Sequence, residues 1–314
     1  MKKKESEFLT QEEAEALLKQ PDRRTLQGKR DYSILLTMLT TGVRKAELCN
    51  LKGKDIKEVI DHADMLYRQD FNGKIKALKI YLSALDNISN KQDGKKPYII
   101  RGIIRKRIWD CEKLIYRNKN FLSEAGQDKI IKDNFFKDQQ NGFFIEIGAY
   151  DGHEGSNCYH FASPTQFKKL KQNRNCQLLN AVLCSTKKEV EFFEVTEGFT
   201  QMSGVNNLNY QNSYNRIKNN SRSKINKIKI NSTMFEEIIP TNQMIDYISI
   251  DIEGNEMDVL SSIDFNKYKI KVILLENNIP QELNYLKFFS KKNFSYFDRV
   301  GMDEIYYNND YYQF

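Results

Sequence analysis

No apolar run in these 314 residues reaches the roughly 18 needed to span a bilayer. The opening Met1-Lys2-Lys3-Lys4-Glu5 is basic, but the apolar stretch that a signal peptide requires does not follow it. The two absences predict a soluble, cytoplasmic protein with no membrane contact. Cysteine is sparse. Cys49, Cys111, Cys158, Cys176 and Cys184 form no C-x-x-C pair, and His62, His153 and His160 do not stand at metal-ligand spacing with them. A disulfide framework and a metal centre are therefore not expected, and the thiols read as reduced and mostly buried. No internal repeat is visible, and nothing in the composition marks a long disordered tail.

Charge is present and unevenly spread. Residues 1–120 hold 27 Lys and Arg against 17 Asp and Glu, a net +10, whereas residues 121–314 hold 22 against 25, a net −3. A basic front and a near-neutral back suggest two modules with different partners. A basic module suits weak nucleic-acid binding. The abundance of Lys, Asn and Ile along the whole chain offers a coding bias as the plain alternative.

Residues 8–57 have helical patterning. Thr10 with Glu13 is a capping box ahead of Ala14, Leu17 and Leu18, and Pro21 closes that helix. Leu35, Leu36 and Leu39 make a second stripe that ends near Gly42; Ala46, Leu48 and Leu51 make a third. Residues 64–82 look strand-like around Ile75 and Leu78–Leu82. The polar stretch 84–98 reads as a linker, and 99–118 as a basic helix containing Trp109. The expected division is a helical module over 1–84, a linker and basic helix over 85–118, and an α/β domain over 119–314. In that domain strands are expected at Phe143–Ile147, Leu178–Leu183, Val190–Val195, Tyr247–Asp251 and Lys271–Leu275, with a helix at Asn255–Ile263. Strands separated by helical stretches imply a parallel sheet with crossover helices. The Asn- and Ser-rich residues 206–224 read as a loop.

Two segments carry chemistry. In Glu146-Ile147-Gly148-Ala149-Tyr150-Asp151-Gly152 an apolar strand runs into a two-glycine turn that opens a helix. Such a turn lets the backbone approach a ligand, and the helix start presents free N–H groups to it. It is not the G-x-G-x-x-G of dinucleotide binders, and an ordinary strand-to-helix turn would look the same. In Asp246-Tyr247-Ile248-Ser249-Ile250-Asp251-Ile252-Glu253-Gly254-Asn255-Glu256 two carboxylates, Asp251 and Glu253, close a buried strand. In an extended backbone they share one face, where they could orient a substrate hydroxyl or take its proton. Glu256 and Asp258 are better explained as acids favoured in a first helical turn.

Taken together, and in this order, Ser123–Asp128, Phe143–Gly152, Met202–Val205, Asp246–Glu256 and Gly301–Tyr307 resemble the FkbM-family methyltransferases over roughly residues 119–314. The resemblance implies a Rossmann-like class I sheet, S-adenosylmethionine as methyl donor, and a hydroxyl acceptor on a sugar or other small metabolite. By position it implies that Glu146, Gly148, Ala149, Asp151 and Gly152 line the cofactor, while Asp251, Glu253 and Glu276 face the acceptor. The sequence departs from that pattern in one place. The family's second strand ends in an acid that binds the ribose hydroxyls. Here only 27 residues separate Gly152 from Asn180, where a helix, a strand, a second helix and their connections need roughly 35 to 40. A sheet without its second strand is expected, with Ala162-Ser163-Pro164 where the acid should be. Losing the charge-assisted ribose pair weakens binding by roughly 2–4 kcal/mol, or about 30- to 1000-fold.

The front module has a resemblance of its own. Phe8–Ala14, Gly42-Val43-Arg44-Lys45-Ala46-Glu47-Leu48 and Leu51–Ile56 resemble the start of a tyrosine-recombinase (phage integrase) catalytic domain. There the arginine matching Arg44 clamps a DNA phosphate. No His-x-x-Arg follows, because His62 precedes Ala63-Asp64-Met65, and no nucleophilic tyrosine stands in context. A helical fragment that has lost its chemistry fits better than a recombinase. DNA binding, or a fused product with neither activity, is the alternative to methyl transfer.

Overall fold

The computed structural model describes residues 53–88, 95–115, 121–149, 156–158, 177, 179, 181–280 and 283–314. The chain divides into two compact units, Met1–Asn118 and Lys119–Phe314. The helices expected before residue 53, Arg44, Asp151, Gly152, the Ala162-Ser163-Pro164 turn and most of the shortened stretch 153–170 lie outside the described residues.

In the first unit three helices are described: α1 (Gly53–Tyr67), α2 (Phe71–Asp86) and α3 (Lys95–Ile115). The strand expected over 64–82 is instead the end of α1 and most of α2. Its buried positions Ala77, Tyr81, Ala84 and Leu85 recur at helical spacing, and Asp70 caps the start by accepting the Gly73 N–H at 2.9 Å. The apolar run Leu78–Leu82 hides this period because Leu82 faces outward. The linker expected over 84–98 is correspondingly narrower, bounded by helix on both sides. One carboxylate ties the three helices together: Asp64 on α1 accepts from the Tyr81 hydroxyl on α2 and from Arg107 Nη2 on α3 at 3.1 Å. Burial and the Asp64 charge push the Tyr81 phenol far above its ordinary range. The basic helix α3 contains Trp109, which is buried. Several of its cations serve the bundle. Arg101 donates to the carbonyls of Leu85 and Ile88 at the end of α2, and Lys106 pairs with Asp110.

The second unit is a mixed α/β structure around a five-stranded sheet. Its elements, in chain order, are α4 (Gln127–Phe135), β1 (Phe144–Ile147), β2 (Glu189–Glu197), β3 (Gly204–Val205), α5 (Gln211–Lys218), β4 (Lys224–Asn231), α6 (Phe235–Ile238), β5 (Met244–Ile250), α7 (Glu256–Ser262), β6 (Lys269–Glu276), α8 (Tyr285–Phe289), β7 (Phe294–Val300) and β8 (Asp303–Asn308). The sheet order is β1-β5-β6-β8-β7. β1, β5 and β6 are parallel, β8 runs antiparallel to β6, and β7, antiparallel to β8, runs in the direction of the first three. The expected all-parallel sheet is therefore mixed, because Gly301 and Met302 turn β7 back into β8 as a hairpin.

Side chains alternate with the strand period of two. Ile248, Ile250, Ile273, Leu275 and Tyr306 pack on one face with Phe235, Val259, Leu260, Tyr285 and Phe289, from the three helices α6, α7 and α8. Tyr247, Val272, Leu274, Ile305 and Tyr307 pack on the other with Ile131 and Phe135 of α4. Both faces of β5 and β6 are covered, which is why these strands read as unbroken apolar runs. At the amino end of the parallel strands, Asp246 of β5 accepts from the Phe143 N–H at 2.8 Å and pairs with Lys271 of β6 at 2.6 Å.

Three expectations change. No strand spans Leu178–Leu183 among the described residues; Leu183 alone makes a single bridge to Thr233. The Val190–Val195 strand exists as β2 but lies outside the main sheet, pairing antiparallel with β4 and β3. Residues 206–224 are not a loop throughout: Tyr210, just before α5, and Ile217 within it pack with Phe193 and Val195, and Ser213, also buried, lies between them at spacings of three and four. Only those three small or apolar positions betray the helix within its polar composition.

Among the described residues β1 pairs with β5 on one side and with no strand on the other. A groove of about 540 Å³ runs along it. The groove is lined by β1, by Gln177, Leu179, Ala181 and Leu183 without strand structure, and by Phe235, Ile238, Ile239, Pro240 and Gln243.

Candidate functional site

Strand direction dictates where the acids meet. β1, β5 and β6 end on one edge of the sheet, and β8, running the other way, begins there. Register places Ile147 beside Ile250, Ile250 beside Leu275, and Glu276 beside Asp303. Gly148, Asp251, Glu276 and Asp303 thus share the carboxyl edge, the position where ligands bind in open α/β sheets. Gly148 and Asp251 are in contact. The Asp251 N–H donates to the Ile147 carbonyl at 2.9 Å, and a Cβ added at Gly148, whose φ is +93°, would lie 1.6 Å from the Asp251 carbonyl oxygen. Glycine is required here by the neighbouring strand's backbone.

Asp251 and Glu276, at the ends of adjacent parallel strands, interact through their carboxyl groups. Burial pushes the Asp251 carboxyl well above its ordinary range, reinforced by the charges of Asp303, Glu253 and Glu256. Glu276 is raised well above its range in the same way, by burial and then by Asp251, Glu253 and Asp303. Like charges in a dry edge cannot all ionise near neutrality. Asp303 is raised to about 6 by burial, with Glu124 and Glu304 adding to the shift and Gln127 and Arg299 opposing it.

Glu253 does not share a face with Asp251. The chain leaves β5 at Asp251, and Glu253 takes a left-handed φ of 58°, so the extended geometry expected of the pair does not hold. Its carboxylate instead accepts from Ser213 Oγ of α5 at 2.6 Å. Burial raises its pKa, and Ser213 and Arg216 offset that in part. Glu256 serves the helix start, accepting from the N–H groups of Gly254 at 2.9 Å and Ile252 at 3.2 Å. Asp258 accepts from both the N–H and the hydroxyl of Ser185.

Of the residues that the resemblance implies for the cofactor, Glu146, Gly148 and Ala149 line the groove beside β1. Its volume falls in the range of ligand sites, and its walls are mostly apolar, so the described residues fit a nucleoside-bearing methyl donor. Glu146 is its only acid among the described lining residues, and Glu146 Oε1 accepts from Ser156 Oγ at 3.0 Å and from the Asn157 N–H at 3.1 Å.

Residues not singled out in the sequence complete the edge. Asp303 stands across from Glu276 and needed the antiparallel β8 to be known. Behind it Arg299 and Glu304 form a fully buried ion pair at 3.2 Å. Arg299 also donates to the Asn277 carbonyl, while Glu304 accepts from Asn277 Nδ2 and the Tyr306 hydroxyl. This network fixes the backbone just after Glu276.

The raised carboxyls set a pH dependence. Asp303 has a folded pKa of about 6, above its unfolded value of about 4. The folded state therefore holds its proton more tightly. That contribution is intact at low pH and is lost as pH rises through the folded value. Asp303→Asn should raise stability at pH 8 by about 3 kcal/mol and by only about 1 kcal/mol at pH 4.5. Urea unfolding at the two pH values reads this, and equal effects at both would remove the assignment.

Residues 146–296 match the family model described as Methyltransferase FkbM domain. Residues 7–81 match the phage integrase family model. A stretch of 49 residues is 47% identical to an integrase/recombinase of Sinorhizobium fredii (strain NBRC 101917 / NGR234), y4rC, covering 16% of this chain and 15% of that protein. The chain thus spans only a small part of that curated relative. No solved structure matches the chain at a significant level. Among the described residues no group of three or more His, Cys, Asp or Glu could hold a metal ion, and no helix is long and apolar enough to cross a membrane.

Proposed function

We propose, from the FkbM-domain match over 146–296, that Lys119–Phe314 is an S-adenosylmethionine-dependent methyltransferase acting on a hydroxyl of a sugar or another small metabolite. The observation that carries the reading is the juxtaposition of Asp251 and Glu276 at the ends of adjacent parallel strands, in line with Gly148 at the end of β1. When bound, the cofactor supplies an electrophilic methyl group. Glu146, Gly148 and Ala149 hold it along the groove beside β1. Asp251 orients the acceptor hydroxyl and takes its proton, with Glu276 beside it. Near neutral pH the pair shares a proton, leaving one charge to act as base. Glu253, turned toward α5, contributes charge and contacts at the acceptor side.

Binding of the cofactor is weak in this reading. The one acid lining the groove among the described residues is already engaged by Ser156 and Asn157, and the stretch between Gly152 and Asn180 is too short for the family's acid-bearing strand. The test is calorimetric titration of the full chain with S-adenosylmethionine, followed by methyl transfer from labelled cofactor to a panel of sugars. Weak saturable binding and slow transfer to a hydroxylated acceptor are expected. Micromolar affinity would refute the weakened site, and no transfer at saturating cofactor would refute the methyltransferase.

The integrase-family match over 7–81 favours a second reading for the front unit, as a recombinase-derived segment that binds DNA. Arg44 is the residue it assigns to a phosphate. The cations of α3 that serve the bundle reduce what remains for DNA. Duplex binding should be weak and fall steeply with salt, without cleavage or joining. A covalent adduct trapped on a suicide substrate would overturn this.

A further inference from the structure

The acids of the carboxyl edge do not all belong to the Asp251–Glu276 pair. On the far side of Glu276 a small cleft is bounded by Glu253, Glu256, Glu276, Asn278, Ser213 and Tyr285. Its space of about 20 Å³ suffices for one water-sized group. Among the described residues that line it there are three carboxylates and no Lys, Arg or His. Arg216 offsets Glu253 in part, and Arg299 is committed to Glu304, so no cation among the described lining residues answers the three carboxyl groups.

Two buried polar atoms at the cleft have no hydrogen-bond partner: Glu276 Oε2 and the hydroxyl of Tyr285. Tyr285 is fully buried and lines the cleft. An orphaned buried acceptor and an orphaned buried hydroxyl each cost free energy comparable to a lost hydrogen bond. A group that satisfies both must donate to the carboxylate and also bond to the phenol. A protonated amine does this, with N–H donors for Glu276, Glu253 and Tyr285 and a charge that offsets the acids. A neutral hydroxyl offers one donor and leaves the charge in place.

We infer that the Glu253–Glu276–Tyr285 cleft is a binding site for a protonated amine, which makes the acceptor an amino alcohol such as an aminosugar. The ammonium sits against Glu276 and Tyr285, and the hydroxyl to be methylated lies on the Asp251 side of the same carboxylate pair. The substrate class rests on the methyltransferase reading; the amine site itself does not.

The experiment is calorimetric titration of the full chain at pH 7.5, at fixed ionic strength, with 2-aminoethanol and with ethylene glycol. The two probes differ by an ammonium in place of a hydroxyl. At least about tenfold tighter binding of 2-aminoethanol is expected, from charge-assisted hydrogen bonds. Glu276→Gln should abolish that excess. Tyr285→Phe, which deletes one oxygen and keeps the packing, should reduce it about threefold. Equal binding of the two probes, binding of neither, or an equal response to added sodium chloride would overturn the proposal. Methyl transfer separates the two ideas. Amine preference without transfer to any acceptor sinks the methyltransferase alone, and transfer without amine preference sinks the amine site alone.

Discussion

Gly148→Ala should unfold the second unit, or leave it less stable by at least about 3 kcal/mol. Two effects add. Alanine is disfavoured at a φ of +93°, and its Cβ would lie 1.6 Å from the Asp251 carbonyl oxygen, which belongs to the backbone and cannot swing aside. Relief requires the ends of β1 and β5 to separate, which breaks the Asp251 N–H bond to Ile147. The chain has a single tryptophan, Trp109, and it lies in the first unit. Indole fluorescence therefore follows the front bundle, while tyrosine near-ultraviolet dichroism is weighted toward the second unit, which holds twelve of the 17 tyrosines. The variant should lose the tyrosine signal at lower urea than wild type and keep the tryptophan transition. Coincident wild-type and variant curves would show that the strand ends are not as close as described.

Asp251→Asn should lower kcat/KM by about 10²- to 10⁴-fold, the usual span for removing a general base. The KM for the methyl donor should change little, because Asp251 is assigned to the acceptor. The same substitution should raise stability at pH 8. Asp251 has a carboxyl pKa held well above normal by burial and by Asp303, so its ionisation opposes folding as pH rises through the folded value. A merely structural residue would lose stability together with activity. Catalysis retained in a folded Asp251→Asn protein would end the role of base. In wild type the rate should rise with pH through the raised value of the Asp251–Glu276 pair, and a profile flat from pH 5 to 9 would count against a shared proton.

The sequence displays the parts of this molecule that follow from local pattern. Met244–Ile250 and Lys269–Glu276 are apolar runs because helices cover both faces of these central strands, and Phe144–Ile147 is a shorter run at the sheet edge. Their acidic or glycine ends mark the carboxyl edge, so Gly148 and Asp251 could be placed near one another from pattern, while Glu276 came to the site through the family resemblance. What pattern hid was non-local. Asp303 joins the edge only because β8 runs antiparallel to β6, a pairing set by a hairpin some 25 residues later. Glu253 looked like a partner of Asp251 until a left-handed residue turned it toward Ser213 on α5. Tyr285 and Ser213 carry no local signal at all; burial alone gives them meaning. In the front unit Leu78–Leu82 matched a strand over five residues and a helix over sixteen, and the longer period won.

The Asp246 clamp has a consequence for how the sheet moves. At the amino ends of β1, β5 and β6 one carboxylate joins all three strands, through the Phe143 N–H and the Lys271 ammonium. At the other end β1 finishes at Gly148, and β5 and β6 finish in Asp251 and Glu276, whose mutual repulsion grows as pH rises through their raised values. The sheet is stapled along one edge and under electrostatic pressure along the other. Its thermal breathing is therefore directional. Strands part first at Gly148, Asp251 and Glu276, like a fan held at the pivot. Amide hydrogen exchange should accordingly run faster at Asp251 than at Asp246, and faster still above pH 8, where the pressure is greatest. A site that must admit a ligand between strand ends thus sits at the end of the sheet that opens with the least work.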